Sequence, residues 1–200
     1  MTNNDMSVAE FITDLELASQ MYGIEVVDEA QKQVKIHVAG IESTPYAGGI
    51  YEIFFDFPVN YPDGIPKVTF KTPIWNSAVG PKSQNVLFHG SETWNLINAI
   101  AYVEGLILKT DVDEFSTYYR VARFWACQFA GAPKSPEEIQ LKSVVDQLVD
   151  MGFPMRAAIV ALSNCEWNVE HASEELLREE SVANAGTNGE EADPISPAEH

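Results

Sequence analysis

The residues best suited to chemistry in this chain are a histidine, a serine and a glutamate that lie close together in one loop-like segment. The segment, IWNSAVGPKSQNVLFHGSETW, spans 74–94 and contains His89, Ser91 and Glu92. Nucleophilic hydrolases align a serine, a histidine and a carboxylate, but residues so near in sequence rarely converge, and no oxyanion-binding element accompanies them. We therefore interpret these three residues as ordinary polar residues of a loop, without a catalytic role.

The chain has two cysteines, and neither has the setting of a reactive thiol. Cys127 lies in a predicted amphipathic helix between Trp125 and Phe129, which favours a packed, inert thiol. Cys165 lies beside a predicted turn, without a base close in sequence. The pair does not indicate a disulfide framework, and the histidines lack the spacing of a zinc site. We expect no metal or cofactor.

Composition excludes several classes of partner. The 200 residues carry a formal net charge of -18, which opposes binding to nucleic acid and to anionic membrane surfaces. No apolar run approaches the roughly 20 residues of a membrane-spanning helix. The start, MTNNDMSVAEF, lacks the basic and then apolar order of a secretory signal. We expect a cytoplasmic or nuclear protein with no nucleic acid or membrane partner.

An α+β domain, 1–133, is predicted to position the loop. Residues 7–22 place apolar side chains at helical spacing, with Ser7 as the predicted N-cap and an acidic outer face. Alternating apolar residues predict an antiparallel meander of strands within KQVKIHVAGI, GGIYEIFFDFP and KVTFKT. After Trp94, helical periodicity returns twice. In the second of these helices we expect six residues to be largely buried: Phe115, Tyr119, Ala122, Phe124, Trp125 and Phe129.

The rest of the chain predicts a separate small helical unit. A linker is predicted at 134–138, followed by three short helices within 139–180. Gly152 is expected to end the first of these helices, and Asn168 to cap the third. The stretch 181–200 has no lysine or arginine and almost no large apolar residue, so we predict an acidic, disordered tail.

At these motifs the chain resembles the ubiquitin-conjugating enzymes. The stretch TPYAGGIYEIFFDFPVNYPDGIPKVTFKTPIW, 44–75, is similar to that family's TPYxGG, YPxxPP and KVxFxT pattern. The junction FWACQFAGAP and the MGF-containing unit resemble the subgroup that carries a C-terminal ubiquitin-associated (UBA) domain. The resemblance implies the ubiquitin-conjugating (UBC) fold, an antiparallel meander with flanking helices, followed by a three-helix UBA domain.

The resemblance is poor in the loop where that family carries its catalytic cysteine. Alignment on Trp94 places Val86 at the nucleophile, and valine has no thiol to accept the ubiquitin carboxyl terminus. Alignment on the preceding Ile-Trp pair places Asn76, Ser77 and Ala78 where the family has His-Pro-Asn, so the amide that assists at the oxyanion is missing. We predict that this chain has no catalytic residue.

Two docking surfaces of the family also differ in this chain. Members present basic residues on the first helix to the ubiquitin-activating enzyme, whereas this helix carries Glu10, Asp14 and Glu16. Inverted charge opposes the same docking. The loop phenylalanine that members use against ubiquitin ligases corresponds to Asp63, and a proline of the same loop to Ile65. These differences disfavour docking of either enzyme in the family's manner.

The UBA resemblance implies a ubiquitin-binding patch on the small domain. In such domains the MGF loop and the end of the third helix bind the apolar face of ubiquitin. The matching residues here are Met151, Gly152, Phe153, Leu176 and Leu177. The alternative is that Phe153 and one leucine complete the small core instead. A patch of this size predicts weak binding.

Three functions are compatible with these residues. The leading hypothesis is a catalytically inactive ubiquitin-conjugating enzyme variant that binds ubiquitin or polyubiquitin noncovalently. Such a variant would modulate ubiquitination with a partner, such as an active conjugating enzyme or a ubiquitin ligase. The second hypothesis is a divergent active enzyme that forms its thioester at Cys127 or at a nonstandard acceptor. The third is an interaction scaffold like the RWD modules, in which only the small domain contacts ubiquitin.

Overall fold

The computed structural model describes residues 3–88, 93–109 and 113–187. The chain forms two compact units, 1–139 and 140–200. The elements, in chain order, are α1 (Asn3–Ala18), β1 (Ile24–Asp28), β2 (Gln33–Ala39), β3 (Ile50–Asp56), β4 (Lys67–Phe70), α2 (Leu96–Ile107), α3 (Thr117–Phe129), α4 (Pro136–Asp150), α5 (Met155–Asn164) and α6 (Val169–Thr187). No helix in these ranges is long and apolar enough to cross a membrane.

The sheet of the first unit is an antiparallel meander in the order β1-β2-β3-β4, as the sequence predicts for its last three strands. The first strand, β1, is missing from the sequence-based prediction. Its exposure explains this, because only Ile24 is partly buried and the other four residues are exposed. An edge strand that buries so little apolar surface leaves no alternating pattern to detect.

One face of the sheet is packed into the core of the first unit. Alternate residues of β2 and β3 are buried, and they belong to the same buried cluster as apolar residues of α1 and α2. The members that define this cluster include Phe11, Leu15, Val34, Ile36, Tyr51, Ile53, Phe55, Ile100 and Val103. Burial of each such side chain contributes about 1.5–3 kcal/mol, so the cluster holds the helices against the sheet.

Helix α1 begins earlier than the sequence suggests. It starts at Asn3, so Ser7 lies inside the helix and the prediction that Ser7 is the N-cap is wrong. The helical backbone extends through 3–6, so the first turn of α1 lies ahead of Ser7. The predicted acidic outer face is present, since Glu10 and Glu16 are exposed.

Helix α3 begins later than its apolar periodicity suggests. Ser116 is its N-cap, with its Oγ accepting a hydrogen bond from the Tyr119 backbone N–H at 3.1 Å. Phe115 precedes this cap and is 84% exposed, so the prediction that it is buried is wrong. The prediction holds for Phe124 and Trp125, which are 0% exposed.

The predicted linker 134–138 is partly helical. Helix α4 begins at Pro136, because Ser135 and Glu138 cap it reciprocally. The Ser135 N–H donates to the Glu138 carboxylate at 2.7 Å, and the Glu137 N–H donates to Ser135 Oγ at 3.3 Å. This is a capping box, with proline at the first helical position where its missing N–H costs nothing.

Three helices build the second unit. Helix α4 ends at Asp150, and Gly152 follows it with a φ of 102°, which suits glycine. Asn168 caps α6, as predicted, with its Oδ1 accepting from the His171 N–H at 3.0 Å. The helix continues to Thr187, so the predicted disorder is wrong for 181–187, where an existing helix propagates readily. The remaining tail residues lie outside the described part of the chain.

Candidate functional site

The start of the 74–94 loop is held by the side chain of Asn76. Its Nδ2 donates to Tyr46 Oη at 2.9 Å and to the Leu106 carbonyl at 3.1 Å. Its Oδ1 accepts from the Ala78 backbone N–H at 2.9 Å. Both amide protons and the amide oxygen are therefore committed to the fold, and none is left to stabilise a developing oxyanion.

Tyr46 is the buried partner on which this network converges. Its hydroxyl donates to the Trp75 carbonyl at 2.9 Å and lies 3.0 Å from the hydroxyl of Tyr118. Burial, and then the neighbouring Tyr118, raise the pKa of Tyr46 far above its ordinary value. The phenol therefore stays protonated and serves as a structural hydrogen-bonding group rather than a base.

The middle of the loop is closed by Gln84, a residue with a left-handed φ of 58° and a buried side chain. Its amide oxygen accepts from the Ile74 N–H at 2.6 Å, and its Nε2 donates to the Pro81 carbonyl at 2.8 Å. The Gln84 carbonyl accepts from the Phe70 N–H at 2.9 Å. The loop is thus pinned to the end of β4 and has a defined conformation.

Val86, which alignment places at the nucleophile position, is packed into the core. It is 7% exposed and belongs to the buried cluster of the first unit. Its backbone N–H donates to the Val68 carbonyl at 2.9 Å, and it forms an isolated β-bridge with Val79. The next residue, Leu87, is 46% exposed, and its N–H donates to the Ala78 carbonyl at 2.7 Å. Neither aliphatic side chain can form a thioester.

An aromatic cluster borders the far end of the loop. The rings of Phe88, Trp94 and Tyr102 lie with centroids 4.5–5.3 Å apart. The Tyr102 hydroxyl donates to the Leu87 carbonyl at 3.3 Å. The residues considered above for a serine and histidine site, namely His89, Ser91 and Glu92, lie outside the described residues. Within the described ranges, no three metal-binding side chains are grouped to hold a metal ion.

Both cysteines have a raised pKa. Cys127 is 5% exposed, and its Sγ lies 3.1 Å from the Pro133 carbonyl. Burial is the main reason that the pKa of Cys127 is raised. Burial and a hydrogen bond to the Glu175 carboxylate, 3.2 Å away, raise the pKa of Cys165 to about 11. The thiolate, which is the nucleophilic form, is disfavoured at both positions.

The thiol of Cys165 is expected to alkylate slowly below pH 9.0, its ordinary pKa. With a pKa of about 11, its thiolate fraction is roughly a hundredfold below that of a free cysteine. The stabilisation that the folded state gives to the thiol is present below pH 9.0 and is lost as pH rises to about 11. Iodoacetamide labelling resolved by peptide mass spectrometry measures the rate.

The control for this labelling is Glu175→Gln, which removes the charge beside the thiol and should increase the rate. Urea-unfolded protein gives the rate of the unshielded thiol. Equal rates in the folded and unfolded protein would contradict the raised pKa.

The five residues predicted to bind ubiquitin divide into exposed and buried groups in the second unit. Met151 and Leu177 are 58% and 54% exposed, and Gly152 is also exposed. Phe153 and Leu176 are buried, at 6% and 4% exposure. The alternative weighed from the sequence therefore describes Phe153 and Leu176, which complete the small core. The sequence-based patch did not include Met155, which follows the same turn and is 46% exposed.

The residues for which the sequence predicts altered docking lie on the first unit. Glu10 and Glu16 are exposed on α1, and the Asp14 carboxylate accepts a hydrogen bond from the hydroxyl of Tyr61. Asp63 and Ile65 are exposed in the turn after β3, with Ile65 at 59%. The charge inversion predicted from the sequence is therefore on the surface.

Two family models match the chain. The model described as ubiquitin-conjugating enzyme matches residues 8–103, and the model described as UBA/TS-N domain matches residues 140–176. The first match covers most of α1, the sheet, the 74–94 loop and most of α2. The second covers most of the three-helix unit. The resemblance predicted from the sequence, in family and in domain order, is confirmed by these matches.

Curated relatives extend the similarity over most of the chain. Ubiquitin-conjugating enzyme E2 K of Homo sapiens is 31% identical over 189 residues, covering 84% of this chain and 92% of that protein. The ubiquitin-conjugating enzyme E2-22 kDa of Drosophila melanogaster is 26% identical over 175 residues, covering 77% and 85%. The E2 domain of a Toxoplasma gondii ubiquitin conjugating enzyme has a TM-score of 0.50 at 20% identity, covering 61% of this chain and 98% of that structure. That structural match supports the UBC fold predicted for the first unit.

Proposed function

This chain belongs to the ubiquitin-conjugating enzyme family and carries a C-terminal UBA domain, and from that premise we propose that it is a catalytically inactive member. Its proposed role is to bind ubiquitin noncovalently through the UBA domain. Together with a partner protein, it would modulate the ubiquitination that active members perform.

The observation that carries this proposal is the aliphatic side chain of Val86. Conjugation by this family requires a cysteine thiolate that accepts the ubiquitin carboxyl terminus as a thioester. Spacing from Trp94 assigns Val86 to that position, and its burial in the core is consistent with a packing role. The neighbouring Asn76 amide is engaged by the fold, so the loop retains an ordered backbone without a nucleophile or a free oxyanion donor.

The competing proposal is a divergent active enzyme that uses Cys127 or a nonstandard acceptor, and a thioester in particular would need one of the two cysteines in the chain. Cys127 is buried on α3 with a raised pKa, which disfavours both access by a substrate and formation of the thiolate. Cys165 lies in the second unit, at the end of α5, and faces the Glu175 carboxylate. The environments of the two cysteines therefore favour the proposal that the protein is catalytically inactive.

The noncovalent binding site that we propose is centred on Met151 and Leu177. Both side chains are more than half exposed, although they are apolar. Phe153 and Leu176 are buried next to Met151 and Leu177 in the chain, so they anchor the turn and the helix on which the two exposed side chains lie. Exposed methionine and leucine suit a flat apolar partner surface, such as the apolar face of ubiquitin. The patch is small, so we expect weak binding.

Titration of the isotopically labelled full-length protein with ubiquitin tests this proposal. We expect saturable chemical-shift changes at the amides of Met151 and Leu177. Shifts confined to 137–178 would favour the scaffold hypothesis, in which the first unit no longer concerns ubiquitin. The absence of saturable shifts in the second unit would contradict noncovalent binding through the UBA domain.

A further inference from the structure

A cavity beside Asn76 is a feature of the first unit that the proposed ubiquitin binding does not use. It has a volume of about 430 Å³, which is within the range of ligand-binding pockets. A smaller cavity of about 230 Å³ adjoins it, since the two share Asn76, Ser77 and Tyr118 as lining residues. We call the larger cavity the Tyr118 pocket. Its other lining residues that matter here are Tyr46, Leu106, Lys109, Asp113 and Ser116.

The direction of the hydrogen bond between Tyr46 and Tyr118 follows from the other partners of Tyr46. The Tyr46 hydroxyl has one proton, which it donates to the Trp75 carbonyl at 2.9 Å. The Asn76 Nδ2 also lies 2.9 Å from the Tyr46 oxygen and can only donate to it. Across the 3.0 Å contact between the two hydroxyls, Tyr118 must therefore be the donor. The Tyr118 oxygen keeps acceptor lone pairs, and no donor among the described residues contacts it.

Other polar groups of the pocket wall have also used their protons. Both amide protons of Asn76 are donated to the Tyr46 oxygen and the Leu106 carbonyl. The Ser116 hydroxyl donates to the Asp113 carbonyl at 2.6 Å. Asp113 is exposed, and its carboxylate accepts hydrogen bonds only. These groups therefore offer acceptors to a ligand, and a ligand that suits them must carry N–H or O–H donors.

The charges of the pocket balance, which favours a neutral ligand. Among the described residues that line it, Lys109 has a positive charge and Asp113 a negative one. An anion would be repelled by the carboxylate and a cation by the ammonium group. The Ser77 hydroxyl is exposed and can donate to a carbonyl of a ligand. Leu106 and the ring of Tyr118 supply apolar surface for a flat body.

We propose that the Tyr118 pocket binds a small neutral molecule in which a urea or a primary amide is attached to an aromatic ring. One N–H of this molecule would donate to the Tyr118 oxygen, and a second would donate to the Asp113 carboxylate. Its carbonyl would accept from Ser77 Oγ, while the ring packs on Leu106. This binding is independent of the proposed ubiquitin binding, so either can fail without the other.

The test titrates the isotopically labelled full-length protein with phenylurea as the probe. The control probe has the same ring and carbonyl, but methyl groups replace every N–H hydrogen. We expect saturable chemical-shift changes at the amides of Ser77 and Ser116 with phenylurea. The methylated urea should bind at least about tenfold more weakly, because it leaves the acceptors of the wall without a donor.

Two conservative variants of neighbouring tyrosines test the role of the Tyr118 oxygen. Tyr118→Phe removes the acceptor and should weaken phenylurea binding about tenfold. Tyr119→Phe removes a hydroxyl from the next residue of α3, which does not line the pocket, and should change affinity by less than about twofold. Because Tyr118 also donates to Tyr46, the melting temperature of Tyr118→Phe is measured beside its affinity.

Ser77→Leu tests the position of the site without changing the tyrosine network. Ser77 is exposed, so leucine at this position opens no cavity and leaves no buried polar group unpaired. The larger side chain should occupy part of the pocket and abolish saturable phenylurea binding, with an unchanged melting temperature.

Four outcomes would overturn the proposal. They are absence of saturable shifts with phenylurea, equal affinity for the two ureas, equal weakening in the two tyrosine variants, and unchanged affinity in Ser77→Leu. Equal affinity for the two ureas would show binding by apolar contact alone. Unchanged affinity in Ser77→Leu would place the probe elsewhere on the protein.

Discussion

Replacement of Met151 and Leu177 together by alanine is expected to weaken ubiquitin binding about thirtyfold, which corresponds to about 2 kcal/mol. Both side chains are exposed and apolar, so truncation removes contact area with the partner without opening a cavity in the small core. Ubiquitin titration followed by NMR or calorimetry measures the change. The melting temperature of the double variant should stay close to that of the unchanged protein.

The matched control for this prediction is Val182→Ala. Val182 lies on α6 like Leu177 and is 69% exposed, but it is five residues further along, about 140° around the helix. It should therefore leave ubiquitin affinity unchanged within about twofold. Equal losses in the control and the double variant would place the binding surface elsewhere on α6. Unchanged affinity in the double variant would show that Met151 and Leu177 do not contact ubiquitin.

Replacement of Asn76 by alanine is expected to lower the free energy of unfolding by about 3 kcal/mol. The change removes three hydrogen bonds and leaves the Leu106 carbonyl and the Ala78 N–H without their side-chain partner. It also removes one of the donors that faces the buried Tyr46 hydroxyl. Chemical denaturation of the full-length protein measures the effect on the transition of the first unit.

Asn98→Ala is the control for the Asn76 variant. Asn98 is exposed near the start of α2, and its side chain makes one long contact, 3.5 Å to the Thr93 carbonyl. The control should change the free energy of unfolding by less than about 0.5 kcal/mol. A loss below about 1 kcal/mol for Asn76→Ala would show that the network around Tyr46 does not hold the loop.

Much of the fold could be predicted because local pattern and burial agree. Strands β2 to β4 alternate between buried and partly exposed residues, and this alternation is visible in the sequence. The edge strand β1 has no such pattern, since one partly buried residue precedes four exposed ones. The start of α4 differs from the prediction, although its signal is local. The stretch 135–138, Ser-Pro-Glu-Glu, has the composition of a polar linker, but its side chains cap the helix.

The candidate site could be predicted only in part. Spacing from Trp94 predicts that Val86 stands at the nucleophile position, and this assignment stays a prediction. The role of Asn76 depends on Tyr46 and Leu106, each 30 positions away in the chain, so no local pattern could reveal it. Similarly, the MGF motif identifies the UBA turn, but helix packing decides that Met151 is exposed and Phe153 buried.

The central claim is that this member of the ubiquitin-conjugating enzyme family binds ubiquitin without accepting it covalently. The most direct test incubates the full-length protein with ubiquitin-activating enzyme, ATP and ubiquitin, and resolves the products on a nonreducing gel beside an active conjugating enzyme. We predict no adduct that a reducing agent removes, because Val86 has no thiol and both cysteines hold their protons tightly. A reducible ubiquitin adduct that disappears in Cys127→Ser would contradict the claim and identify a divergent active enzyme.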